Sequence, residues 1–388
     1  MPAKHNVDIV IVGAGLSGLV TLRSLIESSS SSRIRNVHVV EAREKVGGRL
    51  QGSPNGGIDL GASWTWASDT GLRKLLRDLS INTVDQPWTG KVVQVSGTGT
   101  TKREAKFGES PCGPGGQRIQ GGAHSIPTKL LEYINDLRSS NKIKWHMGAS
   151  VTAIGSDLRT SVAVAPDEED VVEVELSSSE TLEALAVVLA MPPAAISKIE
   201  FLPELPPSRL MSLETTKTWM SDILKFAVIY NDRFWVEEGL SGFGTFENSK
   251  IVECSWDATD GSTFSISGFA RPTSILARGD AEEIKSAIIS DLSRCYGEKA
   301  SSPSSIHFID WSYANFNVDQ MQAQENHNQH LNYGSKELRS AFNRRVIFSG
   351  TESEDAAGHM EGAVRAGVRS ANEAFAVAMG TKRRNSVT

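Results

Sequence analysis

The stretch from Val7 to Arg49 constrains the fold of this 388-residue chain more than any other part. It begins with a β-branched run up to Val12 and then turns at the sequence GAGLSG, which starts at Gly13. A run of this kind is typical of a parallel strand that is buried on both faces. Gly13 allows a tight turn, Gly15 lets the backbone approach a pyrophosphate, and Gly18 lets the following helix pack on the strand.

Glu41 stands at the end of the next apolar run, Val37 to Val40, and strengthens this interpretation. A carboxylate at that position can accept hydrogen bonds from both hydroxyl groups of a ribose, while the helix N-terminus attracts the phosphates. The context therefore predicts a Rossmann-type unit that binds a dinucleotide, and a purely structural glycine turn is the alternative. The pattern is equally compatible with a nicotinamide and a flavin nucleotide.

Charge and cysteine content argue against several classes of function. The formal net charge is −6, from 40 Lys and Arg against 46 Asp and Glu, which argues against a nucleic-acid partner. The three cysteines, Cys112, Cys254 and Cys295, are too far apart for metal-ligand spacing or a disulfide framework, so a reducing compartment fits best. We expect a cytoplasmic protein without membrane association, because neither a secretory hydrophobic region nor an apolar stretch of membrane-spanning length is present.

Several further motifs follow the glycine turn in a fixed order along the chain. They are Glu41 with Gly47-Gly48-Arg49, Leu60-Gly61-Ala62-Ser63-Trp64, Gly121-Gly122, Ala190-Met191-Pro192-Pro193, Lys225, Trp311, Phe348-Ser349-Gly350-Thr351-Glu352 and Gly358-His359-Met360-Glu361-Gly362-Ala363. This combination resembles the FAD-dependent amine oxidase family, which includes the monoamine and polyamine oxidases. The motifs extend over nearly the whole chain, so the resemblance concerns the complete fold.

The resemblance implies an α/β fold in which a Rossmann-type FAD-binding domain is interleaved with a mixed-sheet substrate-binding domain. The FAD-binding domain would comprise residues 1–83, 121–202 and 344–388, and the substrate-binding domain residues 203–343. Residues 84–120 would form a short insertion of the substrate domain, in place of the large helical insertion of the family. The substrate region is therefore expected to be smaller or more open than in other members.

The resemblance also implies that the cofactor is FAD rather than a nicotinamide nucleotide. The cysteine that carries covalent flavin in some members aligns near Gln320, so non-covalent FAD is expected. The residues to which the resemblance gives a part in cofactor binding are Gly13, Gly15, Leu16, Ser17, Gly18, Glu41, Ala42, Arg43, Gly48, Arg49, Gly61, Ala62, Ser63, Trp64, Val151, Trp311, Gly350, Thr351, Glu352, His359, Met360 and Ala363.

These residues would contact different parts of the cofactor. Glu41 would hold the adenosine ribose, Arg43 and the backbone of Val151 would lie at the adenine, and Gly48 with Arg49 would approach the pyrophosphate. Glu352 would bind the ribityl–phosphate region. The turn from Gly61 to Trp64 would pass the isoalloxazine, and Met360 and Ala363 would present a helix N-terminus to the pyrimidine end, where reduced flavin is anionic.

Lys225 is the candidate catalytic residue, together with His359. Lys225 lies in an otherwise apolar run, where a buried ammonium is costly unless it is paired and its pKa is lowered by burial. The alternative is a lysine on an exposed strand face that extends to water. The resemblance implies that Lys225 orients a water molecule at flavin N5 and assists the reaction of reduced flavin with O2.

Trp64, Met321 and His359 are the candidate substrate contacts. In the family, two aromatic side chains face the flavin; here one position falls on His359 and the other near Met321. Small unactivated amines are therefore unexpected substrates. The imidazole of His359 either hydrogen-bonds the substrate and accepts its proton, or only packs on the flavin.

The predicted reaction is the removal of a hydride from the carbon beside an amine nitrogen, with transfer to flavin N5. The products would be an imine and, after reoxidation by O2, hydrogen peroxide. One alternative is a desaturase or oxidative cyclase that acts on a bulky biosynthetic intermediate, and another is a non-catalytic flavin-binding module. A homo-oligomer is possible, since a partner subunit could supply the missing cover of the substrate region.

Overall fold

The fold is described from a computed structural model, over residues 4–28, 34–54, 57–106, 108–137, 142–155, 171–218, 223–271, 280–311, 332–355 and 358–385. The strands, in chain order, are β1 (Lys4–Val12), β2 (Asn36–Glu41), β3 (Trp64–Thr65), β4 (Thr83–Asp85), β5 (Lys91–Ser96), β6 (Gly99–Arg103), β7 (Gln117–Ile119), β8 (Lys142–Met147), β9 (Val151–Gly155), β10 (Val172–Leu176), β11 (Thr181–Leu189), β12 (Glu200–Leu202), β13 (Leu224–Tyr230), β14 (Leu240–Phe246), β15 (Val252–Asp257), β16 (Phe264–Ala270), β17 (Ser305–Asp310) and β18 (Val346–Phe348).

The helices, in the same order, are α1 (Leu16–Glu27), α2 (Thr70–Asp78), α3 (Ile126–Leu137), α4 (Pro193–Ile196), α5 (Pro207–Thr215), α6 (Phe234–Glu237), α7 (Ala281–Tyr296), α8 (Lys336–Arg339) and α9 (Met360–Asn385). Short 3₁₀ turns cover Ala123–Ser125, Glu298–Ser301 and Thr351–Ser353. Among these described helices, none is both long enough and apolar enough to cross a membrane.

The chain divides into two compact units, each built from segments that are distant in sequence. The first unit comprises Met1–Arg49, Ile126–Trp219 and Gln324–Thr388, and the second comprises Leu50–Ser125 and Met220–Ala323. The functional assignment of the individual segments to FAD binding or substrate binding stays a prediction.

The first unit is organised around a sheet with the strand order β12-β9-β10-β11-β1-β2-β8, to which β18 adds by pairing with β11. Strand β1 is parallel to both β2 and β11, and β2 is parallel to β8. Ile9, Val10 and Ile11 are fully buried, as expected of a parallel strand that is covered on both faces. The carboxyl ends of these parallel strands lie at one edge of the sheet, where the glycine turn follows β1.

The second unit contains a mixed sheet with the order β17-β13-β16-β15-β14-β5-β6 and a smaller sheet with the order β3-β7-β4. The hairpin β5–β6 lies in the segment predicted as a short insertion, and it joins the mixed sheet through parallel pairing of β5 with β14. Helix α7 buries Ile284, Ile288 and Leu292 in the same core as the side chains of β13. Strand β13 carries Lys225 into the interior of this unit.

Candidate functional site

The glycine turn of the first unit has a geometry that side chains would disrupt. Gly13 has a φ of +100°, and a Cβ added there would lie 2.4 Å from the carbonyl oxygen of Ala190. A Cβ added at Gly18 would lie 1.9 Å from the carbonyl oxygen of Gly13. Glycine at these two positions therefore lets β1 turn sharply and lets α1 pack against the turn.

A second glycine loop lies against the first one. The amide of Gly47 donates to the carbonyl of Ala14 at 2.8 Å. Gly48 has a φ of +55°, and a Cβ there would stand 3.0 Å from the Cα of Gly15. Because glycine also precedes α1, that residue supplies no side chain to cap the helix, and the first amide groups of the helix remain available to a phosphate.

Glu41 is buried at the end of β2, beside the glycine turn. Its Oε2 accepts a hydrogen bond from the amide of Ala14 at 2.7 Å, and its Oε1 accepts one from the amide of Arg43 at 3.0 Å. Each carboxylate oxygen can accept a second hydrogen bond, which is what two ribose hydroxyl groups require. The turn, the helix N-terminus and Glu41 therefore fit the adenosine diphosphate part of a dinucleotide.

Arg49 and Glu352 form a bidentate ion pair within the first unit. The distances are 2.7 Å from Nη1 to Oε1 and 3.3 Å from Nη2 to Oε2, and Glu352 is almost completely buried. The pair fixes the guanidinium beside the second glycine loop, as is typical of fork-like Arg–carboxylate contacts. The structure thus brings together two predicted cofactor residues that are 303 positions apart.

Buried hydroxyl groups connect the glycine turn to the Gly350 motif. Ser17 Oγ lies 2.7 Å from Ser349 Oγ and accepts a hydrogen bond from the amide of Gly350 at 3.2 Å. Ser349 Oγ in turn lies 2.8 Å from Ser370 Oγ of α9. Ser17 of α1 and Ser370 of α9 are therefore connected through Ser349, the residue after β18. Leu16, the first residue of α1, is buried.

The start of α9 is attached to the same motif. Thr351 Oγ1 donates to the carbonyl of His359 at 2.7 Å, and that carbonyl also accepts from the amide of Ala363 at 3.3 Å. The His359 residue itself is exposed, whereas Met360 is buried. The remaining predicted residues of this unit, Ala42 and Val151, are half-buried.

Lys225 of the second unit is a buried ammonium. The residue is 1% exposed, and its Nζ donates to the carbonyl of Gly61 and to Ser63 Oγ, each at 2.6 Å. The lysine therefore does not extend to water from an exposed strand face. Trp311 contacts the segment that contains Gly61 and Ser63, because its Nε1 donates to the carbonyl of Leu60 at 2.8 Å.

Three aromatic rings surround the ammonium of Lys225. The distances from Nζ to the ring centroids are 5.8 Å for Trp64, 5.5 Å for Trp256 and 6.0 Å for Phe269. The faces of such rings attract a cation and offset part of the cost of removing it from water. Trp64 is fixed in turn, because its Nε1 donates to Gln86 Oε1 at 3.1 Å.

The environment of Lys225 has opposing effects on its protonation. Burial lowers the pKa of Lys225 to about 8; the nearby charge of Asp59 opposes this change and that of Arg118 adds to it. Lys225 therefore remains a cation at neutral pH, but one that can lose its proton slightly above it. Sequence reasoning did not single out Asp59 or Arg118. Asp59 stands directly before the Leu60–Trp64 motif, and an acidic residue in that apolar stretch is the sequence signal that could have identified it.

Met321, a predicted substrate contact, and Gln320, the position of the cysteine in covalent members, lie outside the described residues. Of the predicted substrate contacts, Trp64 lies in the second unit and His359 in the first.

Known proteins share both sequence and fold with this chain. A family model described as flavin containing amine oxidoreductase matches residues 96–374, and a model described as NAD(P)-binding Rossmann-like domain matches residues 11–79. The flavin-containing amine oxidase of Oncorhynchus mykiss is 24% identical, over 96% of this chain and 86% of the relative. The L-amino acid dehydrogenase of Synechocystis sp. (strain ATCC 27184 / PCC 6803 / Kazusa) is 25% identical, over 80% of this chain and 83% of the relative.

Solved structures extend the likeness to three dimensions. Wild-type putrescine oxidase bound to putrescine has a TM-score of 0.75 at 20% identity, over 96% of this chain and all of that chain (100%). Cyclohexylamine oxidase from Brevibacterium oxydans IH-35A has a TM-score of 0.72 at 20% identity, over 97% of this chain and 99% of that one. These similarities confirm the predicted α/β fold with a Rossmann-type domain.

Proposed function

Because the chain belongs to the flavin-containing amine oxidoreductase family, we propose that residues of its first unit bind the nucleotide part of FAD and that Lys225 assists the transfer of electrons to O2. The protein is an oxidoreductase with FAD as its cofactor and oxidises amines, as predicted from the sequence. When bound, FAD supplies the redox chemistry, which takes a hydride from the carbon beside the amine nitrogen and yields hydrogen peroxide from O2.

The charges of the first unit support the nucleotide-binding part of the proposal. The carboxylate of Glu41 holds the ribose, and the uncovered amides at the start of α1 attract the phosphates. Arg49, fixed by Glu352, contributes positive charge to the pyrophosphate. The cofactor is bound non-covalently, since no cysteine stands near the position used by covalent members.

The burial of the Lys225 ammonium is the observation that supports its role most strongly. Two of its three N–H donors bind Gly61 and Ser63, which fixes the position of the charge. A cation held rigidly in a water-poor environment stabilises negative charge that develops on O2 as it is reduced, and no solvent reorganisation is needed. Lys225 thus contributes electrostatic stabilisation rather than redox chemistry.

The substrate is a small molecule with an amine group, and O2 is the second substrate. Putrescine oxidase and cyclohexylamine oxidase share the fold of this protein, but their names do not define its substrate. We assign the protein an amine that is larger than these, because His359 and Met321 replace the aromatic pair of the family. The exposed His359 hydrogen-bonds polar groups of such a substrate.

Replacement of Lys225 by methionine tests the proposal. The holoenzyme is reduced with dithionite under anaerobic conditions and mixed with O2, and the return of the oxidised flavin absorbance is recorded. We expect Lys225→Met to slow reoxidation by roughly 10²-fold, the effect of removing one preorganised electrostatic contact, while the FAD content stays unchanged.

Lys91→Met is the matched control, because it removes an exposed lysine of the same unit. It should reoxidise at the wild-type rate. Equal rates for Lys225→Met and wild type would exclude the role proposed for Lys225.

The three cysteines are free thiols, which supports a cytoplasmic location. A homo-oligomer in which a partner subunit covers the substrate region stays a prediction.

A further inference from the structure

A buried group of charges surrounds the contact between Lys225 and the Gly61–Ser63 segment in the second unit. Asp59, two residues before Gly61, is buried and carries a negative charge that acts on Lys225. Arg118 is buried in the same unit, and it donates to the carbonyls of Thr259 and Ala258 at 2.7 and 2.9 Å. The charge of Asp59 favours the protonated forms of both cations against the effect of burial, and Asp260 and Asp257 act on Arg118 in the same direction.

Asp59 is fixed by one short segment. Its Oδ2 accepts from the amide of Ala123 at 3.0 Å, and its Oδ1 accepts from the amide of His124 at 3.0 Å. The ring of His124 adds a third contact, with 2.8 Å between Nδ1 and Oδ1. These bonds, together with the charge of Lys225, outweigh burial and hold the pKa of Asp59 below its ordinary value, so the carboxylate stays ionised.

The orientation of His124 is fixed on both sides of its ring. The amide of Gly57 donates to Nε2 at 3.4 Å, so Nε2 is an acceptor and the ring proton lies on Nδ1, where it is donated to Asp59. A Cβ added at Gly122 or Gly52 would lie 2.3 or 2.6 Å from the ring, so the ring occupies a slot that requires glycine on both sides.

We propose that Asp59, held by the imidazole of His124, is a positioning residue whose negative charge keeps Lys225 protonated and thereby keeps its ammonium on Gly61 and Ser63. This inference rests on the proposed role of Lys225. Asp59 acts through the lysine and touches neither substrate nor cofactor in the proposed mechanism. The alternative is that Asp59 only anchors the turn at residues 122–124.

A double-mutant cycle separates these two roles without any assay of catalysis. Unfolding by urea is measured for the FAD-saturated wild type, Asp59→Asn, Lys225→Met and the double variant. At pH 7 we expect Asp59→Asn to lower the folding equilibrium constant roughly tenfold more when Lys225 is present than when methionine replaces it. At about pH 10, where Lys225 has lost its proton in the folded protein, Asp59→Asn should have the same effect whether Lys225 or methionine is present.

Asp291→Asn is the matched control for this cycle. Asp291 is a buried carboxylate of the same unit that, like Asp59, accepts backbone amide bonds; its three come from Lys250, Ile251 and Val252. The effect of Asp291→Asn on the free energy of unfolding should add to that of Lys225→Met at both pH values. If Asp59→Asn is equally additive at both, Asp59 is only an anchor and the proposal is wrong.

The pH dependence of reoxidation by O2 provides a second measurement. In the wild type, the rate constant should fall as the pH rises through about 8, where Lys225 loses its proton. Asp59→Asn should move this fall to lower pH by about one unit, the size expected from losing one nearby charge, and Asp291→Asn should leave it in place. An unchanged midpoint in Asp59→Asn would overturn the proposal.

Two substitutions of His124 complete the test. His124→Gln retains a side-chain donor for Asp59, so the reoxidation rate constant should fall at the same pH as in the wild type. His124→Phe removes the donor and should move this fall to lower pH. A pH profile that is flat in every protein would count against the role of Lys225 in reoxidation. The unfolding cycle would still decide whether Asp59 controls its charge.

Discussion

At Lys225, burial opposes the positive charge while hydrogen bonds and aromatic faces favour it. The balance leaves the pKa of Lys225 at about 8, compared with 10.5 for an ordinary lysine. The group is therefore charged at neutral pH at a considerable cost, which other interactions of the second unit offset. Such perturbed groups are typical of functional sites.

This balance predicts a pH-dependent contribution of Lys225 to stability. Because its pKa is lower in the folded than in the unfolded state, the unfolded state binds more protons between about pH 8 and 10.5, and stability rises with pH in that window. The contribution is complete above the unfolded value and is lost as the pH falls through about 8. Relative to Lys225→Met, the wild type should gain about 3 kcal/mol of unfolding free energy across the window.

Urea denaturation of both proteins at several pH values measures this gain as a difference, so the titration of all other groups cancels. A difference that does not change between pH 8 and 10.5 would mean that Lys225 titrates as an ordinary exposed lysine.

Only part of this residue-level arrangement could be predicted from the sequence. The apolar run around Lys225 indicated a buried lysine, but its partners Gly61 and Ser63 are more than 160 positions away. The bond between His124 and Asp59 likewise depends on how the two segments fold back on each other. Pairings of this kind leave no periodic pattern in the sequence.

Among the elements, the connection from β1 to α1 shows why a short glycine motif is so informative. Each glycine meets a local geometric requirement. The backbone at Gly13 has a positive φ, and there is no room for a Cβ at Gly18. Such requirements act between near neighbours in sequence and can be predicted. The order of the strands could not be predicted in the same way, since β1 pairs with β11, more than 170 residues later.

The packing at Gly18 predicts the result of a small substitution. Gly18→Ala places a Cβ against the carbonyl of Gly13, so we expect a loss of about 1–3 kcal/mol in unfolding free energy and weaker FAD binding. Gly380→Ala is the matched control, because that glycine also lies in a helix of the first unit and a Cβ there meets nothing within 4 Å. It should be neutral or stabilising, since alanine favours helices.

Urea denaturation and FAD titration by flavin fluorescence measure both effects. If Gly18→Ala behaves like the control, α1 does not need the close approach to the turn that the structure shows.

For the whole molecule, the family and the cofactor were predicted correctly because the motifs extend from Gly13 to Ala363. The identity of the amine was not, since substrate contacts come from side chains whose spacing carries no general rule. The prediction that Met321 and His359 replace the aromatic pair of the family narrows the class of substrate without naming it.

Amine oxidation predicts that suitable amines reduce the flavin when O2 is absent. We expect a panel of amines and amino acids to include compounds that bleach the flavin absorbance anaerobically, with bulky amines reacting faster than putrescine. Hydrogen peroxide should then form on admission of O2. Failure of every amine to reduce the flavin would contradict amine oxidation and favour a desaturase or cyclase.

The ion pair between Arg49 and Glu352 has a consequence for the biosynthesis of the protein. On the ribosome, the glycine turn and Arg49 emerge early, but Arg49 lacks its carboxylate until a further 303 residues have been added. The bond between Ser17 and Gly350 likewise requires that a further 333 residues are added after Ser17. A nascent chain therefore carries the glycine turn for most of its synthesis without these two contacts, and both can form only when translation is almost finished.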